Sequence, residues 1–129
     1  MENLEVNQTF WQGRSVFITG HTGFKGGWLA LWLSLLGAKV YGYSLEAPTK
    51  LNFFDTINLK NIIQNSTIGD IRNLNELKNS MKEAKPSVIF HMAAQPLVRQ
   101  SYNDPVETFT TNIIGTVNLL EAARKIEPV

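Results

Sequence analysis

Residues 17–26 read FITGHTGFKG and place Gly20, Gly23 and Gly26 three positions apart, behind an apolar run and ahead of a long apolar segment. In a strand, loop and helix unit, the first glycine allows a tight turn, the second lets backbone approach a pyrophosphate, and the third lets helix and strand pack closely. The spacing departs from the GxGxxG of the dinucleotide fingerprint. The stretch predicts a phosphate-binding loop, and the alternative is a turn whose third glycine serves packing alone.

Apolar runs alternate with helical patterns along the chain. Strands are predicted at residues 15–19, which should be fully buried, at 39–44, at 87–94 and within 66–73, where the strand breaks into a turn at Gly69 and Asp70. Helices are predicted at 23–36, at 74–83 and from Asp104 and Pro105 to about 126, with a loop and a short helix in 45–65. This alternation predicts an α/β fold with a doubly wound, Rossmann-like parallel sheet of about four strands. In the strand order 3-2-1-4 the fourth strand is an edge. The apolar residues of 23–36 recur too densely for one face, so that helix is expected to be mostly buried.

The composition is that of an ordinary globular protein. The 129 residues fit one domain, 43% are hydrophobic, and a formal net charge of +1 gives no electrostatic footprint for nucleic acid. The absence of cysteine excludes disulfides and thiolate metal sites and is compatible with a reducing cytoplasm. The longest apolar stretch, residues 28–38, has about half of the roughly 20 residues that a membrane span needs. Neither nucleic acid nor membrane is an expected partner.

The end of the second strand bears on the choice of cofactor. A ribose-binding acidic residue is expected about 20 positions after the glycine loop, but the strand ends in Tyr43 and Ser44, with Glu46 two residues later. No Arg follows the strand to favour a 2′-phosphate, whereas Lys25 in the glycine loop lies within reach of one. The sequence therefore leaves the choice between NAD and NADP open.

Other polar residues lie near the remaining strand ends. Asp70 is placed to accept a hydrogen bond from an adenine amino group, or else to form an ordinary turn. The small residues of MAAQP, 92–96, let a cofactor pass close over backbone, or else serve packing, and Asn112 inside a helix suggests a side chain bonded to loop backbone or a solvated one. His21 and His91 have no second ligand at a helical spacing, so no metal site is predicted and His91 is expected to be a satisfied structural histidine.

Four segments, in this order, resemble the extended short-chain dehydrogenase/reductase superfamily from about residue 14 to the last residue. They are TGHTGFKG (19–26), GDIRN (69–73), HMAAQPLVRQSY (91–102) and TNIIGTVNLLEAAR (111–124). Within the superfamily the resemblance is to the CDP-glucose 4,6-dehydratases, through residues 16–49 and through AAQPLVRQSY (93–102). The resemblance implies an NAD-type cofactor, with NADP not excluded, a nucleotide-sugar substrate, and a cytoplasmic role in nucleotide-sugar metabolism such as lipopolysaccharide O-antigen biosynthesis.

The resemblance also assigns residues to the cofactor and to the substrate. The residues assigned to the pyrophosphate are Gly20, Thr22, Gly23, Phe24, Lys25 and Gly26, and Ser44 at the end of the second strand is also assigned to the cofactor. Asp70 and Ile71 are assigned to the adenine, and the nicotinamide side is assigned to Ala93, Ala94, Gln95 and Asn112. The sugar nucleotide is assigned to Arg99, Ser101 and Tyr102. The implied reaction is an internal redox cycle, in which hydride leaves C4 for NAD, water is lost across C5 and C6, and the hydride returns to C6.

The sequence departs from the family at the catalytic step. The implied proton-abstracting Tyr, with a Lys four residues later, has no counterpart among the 129 residues, so no catalytic residue is assigned and the chain itself is expected to be inactive. Residues 1–129 are interpreted as part of an NAD(P)-binding Rossmann domain, the amino-terminal portion of a lyase, without its later strands and its sugar-nucleotide domain. The alternatives are a self-standing dinucleotide-binding sensor or part of another nucleotide-sugar enzyme. Homo-oligomers are expected, through the edge strand or through the helix from Asp104.

Overall fold

The computed structural model describes residues 5–126, and within them four parallel strands form one sheet in the order β3-β2-β1-β4. The strands are β1 Ser15–Thr19, β2 Lys39–Ser44, β3 Asn65–Ile68 and β4 Val88–His91. The register pairs Ile18 with Gly42 in β2 and with Phe90 in β4. The doubly wound parallel sheet is therefore confirmed, and β3 ends before the predicted turn at Gly69 and Asp70, although β4 is shorter than predicted.

Helices cover both faces of this sheet. They are α1 Gln8–Trp11, α2 Phe24–Leu35, α3 Phe53–Thr56, α4 Leu59–Ile62, α5 Leu74–Ala84, α6 Val98–Asn103, α7 Pro105–Phe109 and α8 Gly115–Ala123, with a π-helical turn at Thr110–Ile114. The sequence patterns did not predict α1 or α6. The single helix expected after Asp104 is instead divided by the π-helical turn.

Two apolar cores lie on the two faces of the sheet, because side chains alternate along each strand. On one face Val16, Ile18 and Val40 pack against α2 and α4 through Ala30, Leu33 and other buried residues. The other face carries Phe17 and Tyr43 against Leu77 and Met81 of α5 and Leu119 and Ala122 of α8. The central strand is buried on both faces, as predicted.

The expectation that α2 is mostly buried was wrong. Trp28 and Trp32, four residues apart, are each about half exposed, at 50% and 52%. Only the face with Gly26, Gly27, Ala30 and Leu33 is buried against the sheet. The density of apolar residues does not show what covers each face, and along the outer side Phe53 of α3 stacks on Trp28 with ring centroids 4.4 Å apart.

β4 lies at an edge of the sheet among the described residues, as the strand order required. Later in the chain, α7 and α8 expose Val106, Phe109, Val117 and Leu120. The expected self-association through this edge or through the helix after Asp104 stays a prediction. Among residues 5–126, no helix combines the length and the apolar character needed to cross a membrane.

The turn after β3 is attached to α8 by one side chain. Asn118 is 8% exposed, and its Nδ2 donates to the carbonyl oxygens of Ile71 and Arg72 at 3.1 Å each. Tyr43 adds a second attachment, because its hydroxyl donates to the Asp70 carbonyl at 2.9 Å. These bonds hold the polar turn at the carboxyl end of the sheet, where parallel α/β folds bind ligands.

We expect Asn118→Ala to lower the free energy of unfolding by about 2 kcal/mol, because the carbonyl oxygens of Ile71, which is buried, and of Arg72 lose their shared donor. Urea denaturation followed by circular dichroism measures this change. Asn79→Ala is the matched control, since Asn79 is exposed on α5 and its replacement is expected to change stability by less than about 0.5 kcal/mol. Equal effects of the two substitutions would contradict the attachment.

Candidate functional site

The glycine loop, residues 20–23, joins β1 to α2, and Gly20 of the loop and Gly26 in the first turn of α2 have almost no space for a side chain. Gly20 has φ +83°, and a Cβ there would lie 2.9 Å from the Met92 carbonyl and from the Ala93 nitrogen. A Cβ on Gly26 would lie 2.1 Å from the Gly20 carbonyl oxygen. The first glycine thus makes the turn, and the third allows the close approach of helix to loop.

The first turn of α2 presents free backbone donors. Among the described residues, the N–H groups of Phe24, Lys25 and Gly26 have no hydrogen-bond acceptor, and the N-cap residue Gly23 has no side chain to supply one. Phe24 and Lys25 are exposed. Free N–H groups at the positive end of a helix dipole attract anions, so this turn has the chemistry of a phosphate site.

Thr22 fastens the loop to the end of β2 through a directed pair of hydrogen bonds. Its Oγ1 donates to the Leu45 carbonyl oxygen at 2.8 Å, and therefore it accepts from the Ser44 hydroxyl, also at 2.8 Å. Both Thr22 and Ser44 are buried. The proton of Ser44 is thereby committed to Thr22, while its oxygen keeps a lone pair that can accept a further bond.

Asp70 lies in the turn after β3, where its carboxylate is engaged by Arg72. The Arg72 Nε lies 3.0 Å from both carboxylate oxygens, and the Arg72 backbone N–H donates to Oδ1 at 2.9 Å. The side-chain bond from Arg72 holds the pKa of Asp70 below its usual value. Asp70 forms the expected turn, and because its side chain stays partly exposed, its carboxylate can also face a ligand. Ile71 is buried at 5% exposure, so only its backbone can face a cofactor.

The π-helical turn places Asn112 against the segment that follows β4. Asn112 Oδ1 accepts from the Gln95 N–H at 2.7 Å, and its Nδ2 donates to the Gln95 carbonyl oxygen at 3.1 Å. Of the two explanations offered for an Asn inside a helix, the structure therefore shows the side chain bonded to loop backbone and not the solvated one. The side chain of Gln95 is held as well, since its Nε2 donates to Thr108 at 2.9 Å. π-helical turns are frequent at functional sites.

His91 links β1, β4 and the π-helical turn, and its tautomer follows from the bonds around it. Thr19 Oγ1 accepts from the N–H groups of Met92 and Ala93, so its own proton is donated to His91 Nδ1 at 2.7 Å. Nε2 of His91 therefore carries the ring proton and donates to Thr116 Oγ1 at 3.0 Å. Both nitrogens are paired, which confirms the expected structural histidine. Burial lowers its pKa.

The residues assigned to the sugar nucleotide lie on α6. Arg99 and Tyr102 are exposed, Tyr102 at 83%, and Ser101 Oγ donates to the Val98 carbonyl of its own helix. The structure thus brings together the glycine loop, the ends of β2 and β4 and Asn112, while Arg99, Ser101 and Tyr102 stay peripheral. Among residues 5–126 no group of three His, Cys, Asp or Glu side chains is placed to hold a metal.

Sequence reasoning did not identify His21 as part of this arrangement. Its ring is fully buried, its Nε2 lies 2.7 Å from Ser66 Oγ in β3, and its Nδ1 has no partner among the described residues. A Cβ on Gly42 would lie 2.4 Å from this ring. The glycine in the middle of β2 was the available signal, since glycine weakens a strand and often marks a close approach.

The comparisons with known proteins agree with this geometry. The sequence profile described as GDP-mannose 4,6 dehydratase matches residues 17–128. The chain belongs to this family. It is 54% identical over 121 residues to the CDP-glucose 4,6-dehydratase of Salmonella typhimurium, which covers 94% of this chain and 33% of that protein. The GDP-mannose 4,6-dehydratase of Vibrio cholerae is 30% identical, over 86% of this chain and 31% of that protein.

Solved structures give the same fold. The UDP-glucose 4-epimerase of Thermus thermophilus, in complex with NAD, has a TM-score of 0.75 and 31% identity, over 85% of this chain and 33% of that one. The UDP-glucose 4-epimerase of Brucella ovis, also in complex with NAD, has a TM-score of 0.72 and 26% identity, over 88% and 33%. The chain spans about a third of the length of the relatives it matches.

Stability is expected to fall on acidification through the buried histidines. Burial lowers the pKa of His21 from 6.5 to about 4, so between these values the unfolded state binds more protons than the native state. The free energy of unfolding should therefore fall by about 2 kcal/mol from pH 7 to pH 5 on account of His21 alone. Urea denaturation at each pH measures this decrease.

His21→Gln is the control for that pH dependence, because glutamine does not titrate. The variant should lose most of the decrease between pH 7 and pH 5 and keep the part that comes from His91. A variant with the same slope as the unchanged chain would show that His21 has the same pKa in the native and unfolded states, and so would contradict the lowered pKa.

Proposed function

We propose that the chain is the NAD-binding amino-terminal part of a CDP-glucose 4,6-dehydratase, in which residues 1–129 form part of a Rossmann domain. The observation that carries the proposal is the junction of the glycine loop with α2, where Gly20 and Gly26 leave no space for a Cβ and the first turn of α2 offers free N–H groups. The 54% identity to the Salmonella typhimurium enzyme supports the choice of relative. NAD supplies hydride acceptance when it is bound, as the implied redox cycle requires.

The pyrophosphate is assigned to the loop and to the first turn of α2. The N–H groups of Phe24, Lys25 and Gly26 are free to donate to phosphate oxygens, and the exposed Lys25 adds positive charge. Thr22 contributes by fixing the loop to β2 rather than by direct contact, since its side chain is buried and its only proton is donated to Leu45.

The end of β2 favours NAD over NADP. A ribose hydroxyl can donate to the free lone pair of Ser44, whereas a 2′-phosphate needs donors and Ser44 has already committed its only proton to Thr22. Glu46, exposed two residues later, would repel a phosphate. These two features support the 2′-hydroxyl form of the cofactor.

The remaining assignments follow the ends of β3 and β4. Asp70 and the backbone of Ile71 are proposed for adenine, and Ala93, Ala94 and Gln95 for the nicotinamide side. Asn112 positions that side by holding both backbone groups of Gln95. We assign Arg99, Ser101 and Tyr102 to the nucleotide sugar, because α6 is exposed beside the segment that Gln95 anchors.

Isothermal titration of the chain with NAD tests the proposal. Gly20→Ala should weaken binding at least about tenfold, because the added Cβ meets backbone at 2.9 Å and displaces the loop. Gly13→Ala is the matched control, since Gly13 also has positive φ, at +71°, but has nothing within 4 Å of the added Cβ. Both substitutions carry the same left-handed strain of about 1 kcal/mol.

Gly13→Ala is therefore expected to lower stability but to retain the affinity of the unchanged chain. Equal affinities for Gly20→Ala and Gly13→Ala would place the cofactor away from the loop. Thermal unfolding of both variants verifies that each is folded at the temperature of the titration.

The proposal assigns cofactor binding, and not chemistry, to these 129 residues. A general base must lie within hydrogen-bonding reach of the proton it takes, and the sequence contains no Tyr with a Lys four residues later. The chain incubated with CDP-glucose and NAD should form no 4-keto sugar, while the full-length Salmonella typhimurium enzyme serves as the positive control. Formation of a 4-keto sugar by the chain would refute this assignment.

A further inference from the structure

Three consecutive residues attach the glycine loop to three different parts of the sheet. The Gly20 N–H donates to the Tyr43 carbonyl in β2 at 3.0 Å, and Thr22 is bonded to the exit of β2 through Ser44 and Leu45. Between them, His21 reaches past β2 to Ser66 in β3, two strands away from β1. His21 and the residues directly before and after it are thus each hydrogen-bonded to a neighbouring part of the sheet.

The path of the His21 ring is shaped by its neighbours. The ring passes over β2 at Gly42, whose missing Cβ would lie 2.4 Å from two ring atoms. Phe54 of α3 meets the ring edge-on, with centroids 5.4 Å apart and planes at 81°. On the backbone side, a Cβ on Gly26 would lie 3.2 Å from the His21 Cα. Gly42 and Phe54 therefore confine the ring, and the close approach of Gly26 confines the backbone of residue 21.

Packing alone does not account for a histidine at this place. Its Nδ1 is buried without a partner among the described residues, and burial of an unpaired polar atom costs free energy that an aliphatic side chain of similar size would not cost. What the imidazole adds over such a side chain is the directed bond to Ser66 at 2.7 Å. That bond defines how far the loop stands from β3.

We infer that His21 is a positioning residue for the glycine loop, which acts through its hydrogen bond to Ser66 and through the space left by Gly42. The inference rests on the proposed NAD site, because the loop that His21 holds leads into the first turn of α2, which carries the free N–H groups assigned to the pyrophosphate. His21 itself does not touch the cofactor, since its ring is fully buried.

The first test compares NAD affinity among variants that separate hydrogen bonding from volume. His21→Leu keeps the bulk but loses the bond, Ser66→Ala loses the bond from the other side, and His21→Gln keeps a polar group near the position of Nε2. The first two should each weaken NAD binding about tenfold, the double variant no more than either alone, and His21→Gln less than about twofold. Unchanged affinity in His21→Leu, or equal losses in His21→Leu and His21→Gln, would overturn the inference.

The second test needs no cofactor and so separates this inference from the proposed function. Amide hydrogen exchange by NMR should be faster at residues 20–23 in His21→Leu than in the unchanged chain, with His21→Gln close to the latter and the β1 amides unaffected. Unchanged exchange at residues 20–23 in His21→Leu would overturn the inference even if NAD binds. Failure of the unchanged chain to bind NAD, with the expected exchange pattern, would refute the NAD site and keep the positioning role.

A third measurement tests the pairing of ring and glycine. Gly42→Ala should lower the unfolding temperature strongly in the unchanged chain and much less in a His21→Ala background, where the added Cβ meets no ring. Additive effects of the two substitutions would show that the ring does not occupy the space beside Gly42.

Discussion

The approach of Gly26 to the Gly20 carbonyl is the contact on which the rest of the site depends. The 2.1 Å between that oxygen and a hypothetical Cβ on Gly26 means that α2 begins directly against the turn that ends β1. Any side chain at residue 26 would lift the helix away from the sheet and displace the free N–H groups of its first turn. The packing of Ala30 and Leu33 against Val16 and Ile18 is set by the same approach, so stability and anion recognition share one geometric requirement.

A second arrangement holds the carboxyl end of β4, and it is built from side chains rather than from glycines. Thr19 at the end of β1 receives two backbone N–H groups and donates to His91, which donates in turn to Thr116. Thr116 donates to the Asn112 carbonyl at 2.6 Å, and Asn112 holds Gln95. The directions of the hydroxyl and imidazole bonds are determined, because Thr19 Oγ1 already accepts two N–H groups and Thr116 donates its only proton to a carbonyl. Such fully paired networks fix a backbone segment more sharply than apolar packing does.

The sequence predicted those features that depend on local pattern. The buried strand 15–19, the roles of Gly20 and Gly26 and the turn at Gly69 and Asp70 are set by residue type and spacing, and the structure has them. The burial of most of α2 was predicted wrongly, because periodicity counts apolar residues and not the layers that cover them. The π-helical turn escaped prediction because one additional residue in a turn leaves the apolar pattern on both sides nearly unchanged.

The contact between His21 and Ser66 was not predicted, for a different reason. They lie 45 residues apart, and nothing in the pattern of either segment indicates that they meet. Asn112 and Gln95 are 17 residues apart, yet a helical Asn is locally unfavourable, and that conflict was visible in the sequence. Gly42 carried a similar conflict within β2. The sequence therefore indicated a long-range contact only where a residue violates a local preference. Residues that satisfy their local preference, such as His21 and Ser66, gave no such indication.

The two arrangements meet at Gly20. Its carbonyl faces Gly26 of the helix, and its missing Cβ faces the Met92 carbonyl and the Ala93 nitrogen at 2.9 Å, which belong to the segment held by Thr19. A displacement of the glycine loop toward β4 would therefore press on the segment that leads to Gln95. The region proposed for the pyrophosphate and the region proposed for the nicotinamide are in this way joined by backbone contact, and one glycine keeps the distance between them short.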